Sequence, residues 1–103
     1  MIIQNSSVAF NSFEGSGPRS ESQNIEFGVP LTQAAAILTG FNAAYSPSDG
    51  DHHLGNLEIR LDAQIDPGAT GRVVVEVTFG LRDWSNEWDD RYEGVVNFAV
   101  VAE

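Results

Sequence analysis

Residues 56–81 read NLEIRLDAQIDPGATGRVVVEVTFGL. Leu57, Ile59, Leu61, Ala63 and Ile65 alternate with Asn56, Glu58, Arg60, Asp62 and Gln64, so an extended backbone places the apolar side chains on one face. That is the pattern of a strand with one buried side. Asp66-Pro67-Gly68 supplies turn chemistry, with proline fixing φ and glycine tolerating a positive φ. Val73, Val75, Val77, Phe79 and Leu81 then resume the alternation, and their β-branched members favour a pleated surface over a helix. The stretch is therefore a β-hairpin.

Working outward, four more strands are expected, near Ser7–Phe10, Asn24–Phe27, Ala35–Phe41 and Gly94–Val101. Gly15-Ser16-Gly17-Pro18 and Ser46-Pro47-Ser48-Asp49-Gly50 serve as connecting loops. Ala34-Ala35-Ala36 has helical propensity, but the run is short and ends at Thr39-Gly40, so a strand is expected there too. Six short strands with turn-rich links predict an all-β fold, a six-stranded antiparallel β-sandwich. The chain of 103 residues fits one domain spanning residues 1–103. At that size about 60 to 70% of the unfolded surface is buried on folding.

Two of these strands carry apolar residues on both sides. On the last, Val96, Phe98 and Val100 are expected to face the core, which turns Val95, Ala99 and Val101 to the other face. Ala36 and Leu38 opposite Ala35 and Ile37 repeat the theme. A face meeting water ought to be polar, so it calls for a cover, either a loop or strand of the same chain or another subunit.

Charge narrows the partners. The formal net charge is −10, with arginine as the only cationic residue type. A phosphate backbone would meet net repulsion, which argues against nucleic acid and anionic membranes. Absence of cysteine removes disulfides, thiolate catalysis and cysteine-ligated zinc. No run approaches transmembrane length, and Met1–Phe10 lacks the pattern of a secretory signal, so a soluble protein or a module of a longer one is expected.

The chemistry concentrates in Leu81–Gly94, LRDWSNEWDDRYEG, between two expected strands. Trp84, Trp88 and Tyr92 offer flat apolar faces, such as cover one side of a pyranose. Asp83, Asp90 and Arg82 offer directional, charge-assisted bonds to hydroxyl groups. A carbohydrate site is the expectation, with all three rings displayed at the rim. The plainer alternative packs one tryptophan at the core edge and leaves the charges paired or solvated.

At this point the chain resembles the H-type lectins, small six-stranded sandwiches typified by snail agglutinins that bind N-acetylgalactosamine and found also at the ends of slime-mould discoidins. The resemblance rests on Asn24-Ile25-Glu26-Phe27 followed by Pro30, and on Ala36-Ile37-Leu38-Thr39-Gly40-Phe41. It rests also on Asn56-Leu57 opening the charged strand and on Tyr92 placed before Phe98, and it covers about Asn24 to Ala102. It implies a homotrimer, sometimes paired into a hexamer, with Tyr92 and Trp84 at the sugar site; Trp88 competes with Trp84 because this loop is longer. Glu58 replaces an arginine of the family's site and Ser85 a histidine, so the resemblance does not carry N-acetylgalactosamine specificity with it.

The acidic excess raises calcium as a cofactor. Asp49, Asp51 and Asp89, with Asp90, are oxygen donors of the kind calcium prefers, although Asp49-Gly50-Asp51 lacks the later ligands of a calcium-binding hand. His52 and His53 are adjacent, and on a regular strand they would point to opposite faces. Catalysis is not expected: Asp89 and Asp90 sit side by side, whereas a glycosidase needs carboxylates across a cleft, and no Ser-His-Asp set or phosphate-binding glycine loop occurs. Two functions follow. One is an oligomeric carbohydrate-binding module. The other is a structural or adhesive oligomerisation module, of a kind suited to a fibre, an injection apparatus or a phage tail, that has lost the sugar.

Overall fold

A computed structural model describes residues 1–11, 17–45, 54–83 and 92–103. These residues form six strands: β1 (Ile2–Phe10), β2 (Arg19–Glu26), β3 (Ala34–Tyr45), β4 (Leu54–Asp66), β5 (Ala69–Asp83) and β6 (Tyr92–Ala102). They make two antiparallel three-stranded sheets, ordered β1-β6-β3 and β2-β5-β4. The expected all-β sandwich is the fold.

The strands outrun their sequence signatures. β1 begins at Ile2, β2 begins at Arg19 and β3 runs on to Tyr45. Alternation marks only where one face is apolar, and β2 has little of it. Of RSESQNIE, Ile25 alone is both apolar and buried. The backbone of that strand is held by its ladder with β5, from Arg19 opposite Phe79 to Glu26 opposite Arg72.

The hairpin of β4 and β5 forms as its sequence demands. Asp66 pairs with Ala69 across Pro67 and Gly68, and the Gly68 amide donates to Asp66 Oδ1 at 2.9 Å. Gly68 does not use the positive φ that glycine tolerates. Gly28, at 76°, is the glycine that takes it among the described residues, in the link between β2 and β3. A type I geometry needs no left-handed residue when proline leads, and the Asp66 side chain holds the turn from within.

The core lies between the two central strands. Val73, Val75, Val77 and Phe79 on β5, and Val96, Phe98 and Val100 on β6, have no exposed surface. Each is flanked by two neighbouring strands and faces the other sheet, so it loses water on every side. Burying a side chain of this size contributes about 1.5–3 kcal/mol. The long sides of the sandwich close differently. Along β1 and β2 the seam is polar: Ser6 Oγ donates to Gln23 Oε1 at 2.9 Å, and Gln4 Nε2 donates to the Glu26 carbonyl at 2.7 Å. Along β3 and β4, Ala36 and Ala43 with Ile59 and Leu61 pack against the core.

At one end, backbone bonds extend the β3–β6 ladder and tie the link before β3 to the other sheet. The Thr32 and Gln33 amides donate to the Glu103 carbonyl, and the Glu103 amide donates back to Gln33. The Leu31 amide reaches the Thr70 carbonyl at 3.0 Å. The opposite end is where the chemistry gathers.

Candidate functional site

Three links, residues 11–18, 46–53 and 84–91, leave one end of the sandwich, because the described strand ends that flank them lie together. In the first sheet Phe10 stands opposite Gly94 and Tyr45 opposite Tyr92. In the second, Arg19 stands opposite Phe79 and Leu54 opposite Asp83. The Phe79 and Tyr92 rings meet edge to face between the sheets, centroids 5.3 Å apart. A rigid sheet carrying several links at one end is a common platform for binding.

Tyr92 corrects the expectation of three displayed rings. It has no exposed surface, because it shares the parity of Gly94, Val96, Phe98 and Val100 and therefore turns inward. Its hydroxyl donates to the carbonyls of Gly17 and of Phe79, the latter at 3.0 Å. Burial raises the phenol pKa from its usual 10.0, the charge of Glu58 adds to the effect, and the Arg19 guanidinium opposes it. A ring so enclosed has no face to give a sugar.

Arg19 completes this buried cluster. Its guanidinium lies 4.5 Å from the centroid of Tyr92 and 5.6 Å from that of Phe10. Nη1 donates to the Asn11 carbonyl at 2.5 Å and Nη2 to the Tyr92 carbonyl at 2.9 Å. One side chain thus joins the start of β2, the end of β1 and the start of β6. Nothing in the residues around it signals this role, since Arg19 opens a strand without hydrophobic periodicity.

Gly94 is required by close approach. A Cβ there would overlap the Asn42 carbonyl oxygen and come within 2.8 Å of Phe79 Cζ. Phe79 in turn lies 5.2 Å from the Phe10 ring centroid. Phe10, Phe79, Tyr92 and Arg19 therefore pack together at the end of the sandwich where the strands flanking the three links finish.

The remaining site residues divide. Arg82 is partly buried, stands opposite Asn56, and shares the parity of Arg72, Glu76 and Gly80, so it belongs to the outer face of its sheet while Tyr92 points inward. Asp83 ends β5, opposite Leu54. Trp84, Trp88, Asp90 and Asp89 lie outside the described residues, as do Asp49, Asp51, His52, His53 and the side chain of Asp83. Chain connectivity still tethers 84–91 between Asp83 and Tyr92, and 46–53 between Tyr45 and Leu54, at the same end. Among the described residues no group of three or more acidic or histidine side chains is placed to hold a metal ion. Glu58, the residue that departs from the lectin pattern, lies 3.5 Å from the Arg60 guanidinium on the outer face of β4. No helix among the described residues is long and apolar enough to cross a membrane. Comparison of the chain with known protein families, with curated proteins and with solved structures finds no match.

Proposed function

We propose that this chain is a carbohydrate-binding module that works as a homo-oligomer, with its ligand at the end of the sandwich from which residues 84–91 emerge. The observation that supports this reading is that the strand ends flanking that segment and the two other links lie together at one end of the sandwich. Trp84 and Trp88 stack on the apolar face of the sugar, and Asp83, Asp90 and Arg82 bond its hydroxyls. Tyr92 takes a different part from the one its resemblance implies: through the Gly17 and Phe79 carbonyls it holds the start of β6, to which the segment is joined. Calcium, held by Asp49, Asp51 and Asp89, is the cofactor this reading admits. A trimer or hexamer turns several weak sites into one avid surface.

The rival reading is a structural or adhesive module that keeps the fold and the assembly without the sugar. The enclosed Tyr92 favours it, because the resemblance assigns that ring to the ligand, and so do Glu58 and Ser85, which stand where the resemblance implies an arginine and a histidine. A glycan array with and without calcium, run on the wild type and on Trp84→Ala and Trp88→Ala, separates the two. Binding that either substitution weakens supports the lectin. A blank array supports the rival.

A further inference from the structure

On the outer face of the β1-β6-β3 sheet, at the end where the three links leave, lies a shallow cavity of about 430 Å³. All three strands line it: Ala9 and Asn11 at the end of β1, Glu93 and Val95 on β6, and Asn42 and Ala44 on β3. Strand parity sets this composition. Val95 stands between Ala9 and Asn42, and Glu93 stands opposite Ala44, so the longer polar side chains rise beside alanines too short to cover them.

The Glu93 carboxylate has no partner within the fold. It is partly buried, and among the described residues neither it nor the Asn42 side chain makes a hydrogen bond or an ion pair. The described arginines are placed elsewhere. Arg19 lies between the sheets on the Tyr92 ring, and Arg60, Arg72 and Arg82 lie on the outer face of the other sheet.

From this arrangement we infer that the cavity is a binding site for a small, ring-sized ligand that carries a protonated amine. Glu93 and Asn42 hold the ammonium, and Ala9, Val95 and Ala44 take the apolar side of the ligand's body. The site shares no residue with the carbohydrate site proposed above, so the two stand or fall separately.

Donor and acceptor chemistry selects the ligand class. An ionised carboxylate only accepts hydrogen bonds, the amide of Asn42 adds a carbonyl oxygen, and an ammonium brings three donors and no acceptor. A carboxylate held partly out of water with no donor beside it gains most from a charged one, since charge-assisted bonds are about twice as strong as neutral ones. The net charge of −10 also concentrates cations near the surface. A hydroxyl could bond Glu93, but it would gain nothing from that charge. A hard metal ion is poorly served, because one carboxylate and two amides fall short of the roughly six to eight oxygens that calcium takes. The volume lies within the range of about 300–1,000 Å³ of small-molecule sites, and the methyl groups of Ala9, Val95 and Ala44 supply the apolar surface such sites use.

The test is an amide NMR titration of the isotope-labelled chain with cyclohexylammonium and glucosamine, at mildly acidic pH where both amines are protonated. Cyclohexanol and N-acetylglucosamine, which keep the rings and lose the charge, serve as controls. The two amines are expected to shift the amides of Asn42, Glu93 and Val95 saturably, more weakly as salt is added, and the neutral rings are expected to leave them in place. Glu93→Gln should weaken amine binding about tenfold, whereas Glu76→Gln, the same change of net charge on the other sheet, should not. Ala44→Leu fills the recess and keeps every charge, and it should abolish the shifts. A response to glucosamine alone supports the site and assigns its ligands to amino sugars; a response to cyclohexylammonium alone supports it and assigns them to apolar amines. Neutral rings that bind as well as the amines, or a Glu93→Gln titration that matches wild type, overturn the amine. Absence of saturable shifts with both amines, or shifts that survive Ala44→Leu, overturns the site.

Discussion

Replacing Tyr92 by phenylalanine removes one oxygen from the interior and leaves the ring against Phe79 in place. The hydroxyl is a donor to the Gly17 and Phe79 carbonyls, so the substitution deprives both of a partner, one half-buried and the other in the interior. A typical buried hydrogen bond contributes about 1 kcal/mol net, and an acceptor left without a donor costs about 1–3 kcal/mol. One proton serves two acceptors here, so the combined loss is about 1–2 kcal/mol, or roughly 5–15 °C in Tm for a domain of this size. Urea unfolding should show a lower midpoint with an unchanged slope. The pH dependence supplies a second readout. Because the folded pKa lies above 10.0, the phenol stabilises the fold fully below pH 10, and that stability is lost as the pH rises through the folded value. Tyr92→Phe should abolish this alkaline decline. A variant as stable as wild type, with the decline intact, would refute the assignment of Tyr92 to the interior.

Gly94→Ala should destabilise by about 1–3 kcal/mol, measured by urea unfolding, because the added methyl meets the Asn42 backbone and the Phe79 ring rather than open space. Phe98→Ala, in the middle of the core, should cost about 3–5 kcal/mol by the same assay. Arg19→Met keeps the aliphatic stem but loses both bonds to the Asn11 and Tyr92 carbonyls, and its thermal midpoint should fall while Arg60→Met, on the exposed outer face, leaves it unchanged. On the proposed carbohydrate reading, which gives both rings to the ligand and neither to the core, Trp84→Ala and Trp88→Ala should leave the thermal midpoint within about 2 °C of wild type while weakening glycan capture.

How much of this was legible in the sequence depends on parity. Wherever one face is apolar, the period of two gave the right answer: the inward set of β4, β5 and β6 is the set read from NLEIRLDAQI, VVVEVTFGL and VVNFAVV. The same rule, carried two residues further, would have placed Tyr92 inside, because it shares the parity of Val96 and Phe98. Grouping it with Trp84 and Trp88 by chemistry overrode the geometry. Arg19 was not legible, since an inward arginine is held by partners from β1 and β6 that are distant in sequence. Sheet order was hidden for a related reason. Only β4 and β5 are consecutive strands in one sheet; every other link crosses from one sheet to the other, and turn residues such as Gly15-Ser16-Gly17-Pro18 mark a loop without saying which sheet the chain enters next.

β6 is the last of the six strands in the chain and the middle one of its sheet. During synthesis, β1 and β3 therefore emerge with no strand between them, and their ladder waits on residues 92–102 leaving the ribosome. Until then the valines and Phe79 of the completed β4–β5 hairpin lack an opposing layer. Contacts of such long sequence separation form late, so folding of this chain should be slow for its size and most open to aggregation just before its final strand arrives.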